Sequence, residues 1–226
     1  MTHKPDLQSF DALMRARHSC RGYLPDQLPQ NTIAAIVQTA QRVPSWCNAQ
    51  PWQLTITSGE ETDRLRDFMF QTAHAAKHNA GVPFPEGYHG VYRDRRRECG
   101  WQLYEQVGVV KGDREGSTRE MMKNFRCFDA PHVAVVTSDR ALGPYGVMDT
   151  GGFVTGFCLA AEAAGVASIP PAAPAGFSAQ LRAYFNIPQE RQIVCCISFG
   201  LRDDTHPANQ FRTNRAKIDE IVDWRG

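Results

Sequence analysis

The run from Val147 to Ala164 constrains the fold more than any other stretch of the chain. Phe153, Val154, Phe157, Leu159, Ala160 and Ala161 leave it almost no polar face, and Gly151, Gly152 and Gly156 remove bulk from it. The pattern predicts a helix buried on most sides, because a helix that is apolar nearly all round has no stable place at a surface. Small residues let another backbone approach closely, so a subunit interface is a natural neighbour. A bilayer is not, since the apolar-rich part from Phe153 to Ser168 is too short and too rich in Gly and Ala to span one.

Around this helix the chain reads as a mixture of elements. Leu7, Phe10, Leu13 and Met14 have helical spacing, as do Ile33, Ile36, Val37 and Ala40 in a second helix that must end by Pro44, which lacks an amide donor. Trp52 to Ser58, His132 to Thr137, Val166 to Ile169 and Ile193 to Phe199 read as strands. Glu60 to Phe125 is helical and polar with a Pro/Gly-rich break at Gly81 to Gly87. Leu181 to Phe185 is a short helix, and Arg202 to Gly226 is an irregular tail with a helical piece near Ile218 to Trp224. Helices outnumber strands without a regular β-α alternation, which favours α+β with one mixed sheet over a doubly wound parallel fold. No linker divides the chain, so residues 1–226 are read as one domain.

Charge and cysteine content narrow the function. The 25 Lys and Arg against 24 Asp and Glu give a formal charge of +1, which provides no global field for a polyanion. Neither nucleic acid nor a membrane is expected as a partner. The 7 cysteines are scattered and form no C-x-x-C pair, as in reduced cytoplasmic proteins, and Met1 to Phe10 lacks the order of a signal peptide. Cys195 and Cys196 should alternate faces of a strand as small buried hydrophobes.

Most catalytic constellations are missing. There is no G-x-G-x-x-G after a strand, no phosphate-binding G-x-x-x-x-G-K-[ST], no G-x-S-x-G and no H-E-x-x-H. His74 and His78 lie four apart on an expected helix without a third ligand, so no metal is expected. The run Arg93, Arg95, Arg96 and Arg97 is interrupted by Asp94 and followed by Glu98, and reads as a solvated, salt-paired helix face in preference to an anion-binding patch.

Three segments are harder to assign to structure alone. Arg17-His18-Ser19-x-Arg21 gathers two guanidinium forks, an imidazole and a hydroxyl, donors that suit a phosphate and an attached polyol. Pro44-Ser45-Trp46-Cys47-Asn48-Ala49-Gln50-Pro51-Trp52 presents hydroxyl and amide groups on a loop stiffened by two prolines, able to bind a heterocycle's edge. Arg212 and Arg215 add a second cationic cluster far along the chain.

In this order, with the helix beginning Met148-Asp149-Thr150-Gly151-Gly152 and the closing Asn209-x-x-Arg212-x-x-Arg215, the segments resemble the FMN-dependent nitroreductase family. The resemblance spans about Phe10 to Trp224, and the segments Gly165 to Ala173 and Pro85 to Phe128 look closest to its nitrobenzoate-reductase-like branch. It implies an α+β fold with a central mixed, mainly antiparallel sheet flanked by helices. It also implies a homodimer whose domain-swapped tail, residues 201–226, wraps the partner, with residues 85–128 as an excursion that forms a lid.

By the same resemblance, Arg17, His18, Ser19, Arg21, Arg212 and Arg215 hold the FMN phosphate and ribityl chain. Pro44, Ser45, Asn48 and Gln50 contact the flavin, Ser45 across the dimer interface. Pro170, Pro171 and Ala172 line the isoalloxazine; Pro171 departs from the family, because it removes a backbone amide that could have contacted the ring. NADPH or NADH passes hydride to flavin N5 and an electron-poor aromatic acceptor, a nitroaromatic or quinone, then takes its place, with no protein acid, base or nucleophile required. The expected acceptor pocket draws on Phe125, the first choice, with Tyr88, Tyr92, Trp101 and Tyr104, whose rings suit a planar acceptor. Reductive dehalogenation or flavin fragmentation on the same cradle, and a non-enzymatic flavin sensor, are the competing readings.

Overall fold

Two β-branched runs supply the centre of the sheet. In the computed structural model, which describes residues 6–226, helices α1 (Leu7–Ala16) and α2 (Gln30–Ala40) precede strand β1 (Gln53–Ser58). Helices α3 (Glu60–Ala75), α4 (Gly90–Gln106) and α5 (Arg114–Met122) lead to β2 (His132–Asp139). Then come α6 (Gly143–Ala163), β3 (Ala167–Ile169), α7 (Ser178–Phe185) and β4 (Arg191–Gly200). Met1 to Pro5, half of the segment read for a leader, lies outside the described residues.

The strands order as β1-β2-β4-β3, and every ladder is antiparallel. The four-stranded sheet is therefore antiparallel throughout and not mixed as expected, because Ser19 meets Ser168 only through an isolated parallel bridge that adds no strand. The register shifts between Val136 and Thr137, where β4 carries an extra residue opposite β2.

Side-chain alternation along the central strands divides the core in two. Ala134, Val136, Cys195 and Ile197 join Ile33, Ile36, Phe153 and Phe157 under α2 and α6. Val133, Val135, Ile193 and Cys196 join Leu65, Met69, Met122, Phe177 and Leu181 under α3, α5 and α7. Cys195 and Cys196 do alternate faces, and burial pushes the Cys195 thiol up to about 12, so it is inert as a thiolate. Phe153 and Phe157 are fully buried, each contributing about 1.5–3 kcal/mol by the usual transfer values. Gly156 permits the close packing of α6 on α2: a Cβ there would meet Val43 Cγ1 at 2.7 Å and the Ala40 carbonyl at 3.3 Å.

Several elements differ from the sequence expectation. Helix α6 begins at Gly143 with Pro144 in its first turn, where a missing amide costs no hydrogen bond. It buries Phe153 and Phe157 but leaves Met148, Gly151, Gly152 and Thr155 exposed, so its small-residue face is bare. The tail's last piece is a single 3-10 turn, Ile218–Glu220, because no core lies beneath it to stabilise a longer helix. His78 falls beyond the end of α3, so it does not share a helix face with His74; its ring instead packs edge-on against Phe84 and Phe177. Helix α1 is capped by Asp6, which accepts from the Ser9 amide at 2.8 Å, yet it buries nothing: Leu7, Phe10 and Met14 form an exposed stripe. Among the described residues no helix is long and apolar enough to cross a membrane.

Candidate functional site

The chain leaves α1 in an extended conformation at Arg17 and is pinned beside β3, with the Cys20 amide donating to the Ser168 carbonyl at 3.2 Å. This turns Arg17, His18, Ser19 and Arg21 into a groove of ≈ 610 Å³, whose opposite wall is Phe211, Arg212, Thr213 and Arg215 of the tail. Six residues expected to hold a phosphate and polyol thus line one cavity, although nearly 200 positions separate the two clusters in sequence. Cys99 and Phe211 also line it, and sequence reading had given them no role.

The groove's electrostatics are unbalanced. Among the described residues, Arg17, Arg21, Arg212 and Arg215 have no carboxylate within 4.0 Å, whereas Asp11, also on the wall, is engaged by Arg15 at 2.6 Å. Burial pushes the Arg21 guanidinium below its usual pKa, and its charge lies over the Phe128 and Phe211 rings at 5.9 and 6.0 Å. Four cations gathered without an ion-pair partner, one of them partly desolvated, fit a multiply charged anion.

His18 adds a polar acceptor. Its Nδ1 lies 2.9 Å from the Ala16 carbonyl, which can only accept, so Nδ1 carries the proton. Burial holds the ring below the ordinary histidine pKa, so the neutral form is favoured and Nε2 is left as an acceptor. That Nε2 is buried and has no partner among the described residues. A ligand hydroxyl beside the phosphate would satisfy it. The residues present therefore fit a phosphorylated polyol such as the ribityl phosphate of FMN.

Asn209 joins the two walls. It is 4% exposed; its side-chain oxygen accepts from the Arg21 amide at 2.8 Å and its Nδ2 donates to the Gly22 and Asp203 carbonyls, both at 2.9 Å. Its own carbonyl accepts from Arg212 Nη1 at 2.9 Å. Gly22 is required by the close approach of the tail, since a Cβ there would overlap the His206 ring.

The second expected segment stands apart. Pro44, Asn48 and Gln50 are exposed and Ser45 half-buried, and none lines the cationic groove; Gln50 instead borders a separate ≈ 500 Å³ groove along β1 with Trp52 and Leu54. Ser45 Oγ accepts from the Gln50 amide at 3.0 Å, and Gln50 Nε2 donates to the Asn48 carbonyl at 3.2 Å. Of the third segment, Pro171 is buried, its carbonyl accepting from the Cys196 amide at 3.2 Å, while Pro170 is half-buried and Ala172 exposed.

Among the expected acceptor residues one is corrected. Phe125 is 5% exposed and packs edge-on against Phe177 at 5.5 Å in the core beneath α3 and α7, so its ring offers no face to a ligand. The other four lie differently: Tyr88, Tyr92 and Trp101 are exposed, Tyr104 is half-buried, and Trp101 meets Tyr104 at 5.8 Å. Helix α4, which bears Tyr92, Trp101 and Tyr104, has no buried residue; the tail tethers it through Arg95–Glu220 at 3.0 Å and Asn214 donating to Glu98 at 2.6 Å.

Comparison with known proteins agrees with this arrangement. Residues 14–201 match the model of the nitroreductase family. Nitroreductase NfnB of Mycolicibacterium smegmatis is 31% identical over 217 residues, covering 95% of this chain and 92% of that protein. A 4-nitrobenzoate reductase of a Nocardioides species is 29% identical over 223 residues, covering 96% and 90%. The crystal structure of the FMN-dependent nitroreductase NfnB from Mycobacterium smegmatis in complex with NADPH superposes with a TM-score of 0.92 at 29% identity, over 98% of this chain and 100% of that one. With the groove, the sheet order and this match over most of its length, the chain belongs to the nitroreductase family.

Proposed function

We propose that this chain is an FMN-dependent NAD(P)H oxidoreductase that reduces nitroaromatics or related electron-poor acceptors such as quinones. The observation that carries the reading is the groove lined by four guanidinium groups that have no ion-pair partner among the described residues and by His18, whose Nε2 is orphaned. The similarity to proteins named as FMN- and NADPH-dependent nitroreductases supports this reading over dehalogenation, flavin fragmentation or a sensor role. FMN held there by Arg17, Arg21, Arg212 and Arg215 would supply the redox chemistry that carries electrons from NADPH or NADH to the acceptor.

The protein's part is placement. Arg17, Arg21, Arg212 and Arg215 neutralise the phosphate, Ser19 donates to it, and His18 Nε2 accepts from a ribityl hydroxyl. Pro170, Pro171 and Ala172, which directly follow β3, are proposed to line the isoalloxazine. Pro44, Ser45, Asn48 and Gln50 do not reach the groove of their own chain, which supports a homodimer in which each site takes this loop from the second copy. The exposed Leu7–Phe10–Met14 stripe, the bare small-residue face of α6 and the tail, residues 201–226, supply apolar and irregular surface for that contact. Tyr88, Tyr92, Trp101 and Tyr104, within the 85–128 excursion of the single domain, form the wall against which a planar acceptor stacks. The scattered free cysteines support a reducing, cytoplasmic location.

Anaerobic stopped-flow tests the reading. NADPH or NADH should bleach the flavin, and a nitrobenzoate should restore its colour in a separate half-reaction. Reoxidation by halogenated phenols with halide release, and not by nitroaromatics, would assign a dehalogenase instead.

A further inference from the structure

The Ser45–Pro51 loop carries side chains proposed to face the flavin, and its backbone is strained. Cys47, Asn48 and Gln50 sit at φ of 50°, 55° and 48°, a left-handed region that residues bearing a Cβ avoid. The Ser45–Gln50 hydrogen bond closes the loop on itself, but its two ends are held from outside. Asp149 on α6, 8% exposed, accepts from the Trp46 amide at 2.9 Å. Arg191 at the start of β4, 7% exposed, donates from Nη2 to the Pro51 carbonyl at 2.7 Å and to the Thr137 carbonyl at 2.9 Å.

Neither charge has an ion-pair partner within 4.0 Å among the described residues. Burial pushes the Arg191 guanidinium below its usual pKa. A charge held largely out of water with no ion-pair contact is costly, even with Asp139 across the ladder and Glu190 beside Arg191 favouring its charged form, and an apolar side chain would fill the same volume more cheaply. What the two groups share is the loop. One holds an amide at its start, the other the carbonyl at its end, and they reach it from different elements.

We propose that Asp149 and Arg191 are positioning residues that clamp the two ends of the Ser45–Pro51 loop and so preset Ser45, Asn48 and Gln50 before the flavin binds. The purpose of the clamp rests on the flavin reading; its geometry does not. Amide hydrogen exchange across residues 45–52 of the full-length, flavin-free protein, together with FMN titration, tests it on Asp149→Ala, Asp149→Asn and Arg191→Met.

Asp149→Ala and Arg191→Met should each speed exchange in the loop by about tenfold or more and weaken FMN binding by about tenfold, as for a lost charge-assisted hydrogen bond. Protection of α6 and β4 should persist. Asp149→Asn keeps an oxygen that accepts from the Trp46 amide and should restore both readouts to within about threefold of the parent. Unchanged loop exchange in the Ala and Met variants would overturn the clamp, as would an Asn variant as damaged as the Ala variant. If Arg191→Met does not fold, the two Asp149 variants decide. If the parent protein takes up no FMN, the flavin reading fails while the exchange data still decide the clamp.

Discussion

The Arg21 amide donates to the side chain of Asn209 at 2.8 Å across 188 residues of sequence, and through this contact one residue ties the loop after α1 to the tail. Both walls of the cationic groove therefore move together. Asn209→Ala would leave the Arg21 amide without a partner and remove one of the bonds to the Gly22 and Asp203 carbonyls, which keep the Asp203 and His206 amides, at a cost on the order of 1–3 kcal/mol of folding stability. Its FMN affinity should fall as well, because the tie between the Arg21 amide and the tail segment that carries Arg212 would be lost. Urea denaturation and flavin titration on one preparation check both effects.

The tail is expected to be needed for both flavin and dimer. Deleting Asp204 to Gly226 removes Asn209, Arg212 and Arg215 together with the exposed Ile218, Ile221 and Trp224. Flavin content and dimer fraction should drop together in absorbance and sedimentation measurements. A truncated chain that stays dimeric and fully flavinated would show that the tail serves neither role.

A pH effect follows from His132. It is fully buried, stacks on Phe199 at 5.2 Å, accepts from the Leu28 amide at Nε2 (2.9 Å) and lies 2.8 Å from Ser58 Oγ. Burial depresses its pKa, so the folded state prefers the neutral ring. The contribution is complete above the unfolded value of about 6.5 and is lost as pH falls through the lower folded value. His18 and His206 shift the same way. Urea midpoints should therefore decline from pH 7.5 to pH 5, and His132→Gln should flatten the decline without removing it.

Phe125 and Trp101 separate core from pocket. Phe125→Ala should cost about 3–5 kcal/mol of stability, as for a large aromatic lost from a core. Trp101→Ala, on an exposed ring, should leave stability nearly unchanged while slowing flavin reoxidation by nitroaromatics. Thermal melts and the oxidative half-reaction, measured on both variants, check the contrast.

Why Phe125 misled is physical. Aromatics at helical spacing between Pro85 and Phe128 look alike in sequence, and only the packing of α3 and α7 determines which of them is covered. The strands at Val133–Val136 and Ile193–Ile197 were legible as short continuous apolar runs rich in β-branched residues, a signal that needs no knowledge of neighbours. The cation clusters were legible as chemistry, since guanidinium groups with no nearby acids stand out in any order. Asp149 and Arg191 were not legible as a clamp, because each reaches the loop through a backbone group, Asp149 the Trp46 amide and Arg191 the Pro51 carbonyl, which leaves no paired residue type in the loop to find. The expected helix near Ile218 to Trp224 had periodicity but no core to pack on.

The central claim is that the groove between Arg17–Arg21 and Arg212–Arg215 binds the phosphate of FMN. Fluorescence-quenching titration of the flavin-free protein with FMN and with riboflavin, which lacks the phosphate, tests it most directly. Four guanidinium groups predict that FMN binds with one site per chain and that riboflavin binds at least about a hundredfold more weakly, since at least two charge-assisted contacts are lost. Equal affinity for the two flavins, or no uptake of either, would contradict the account.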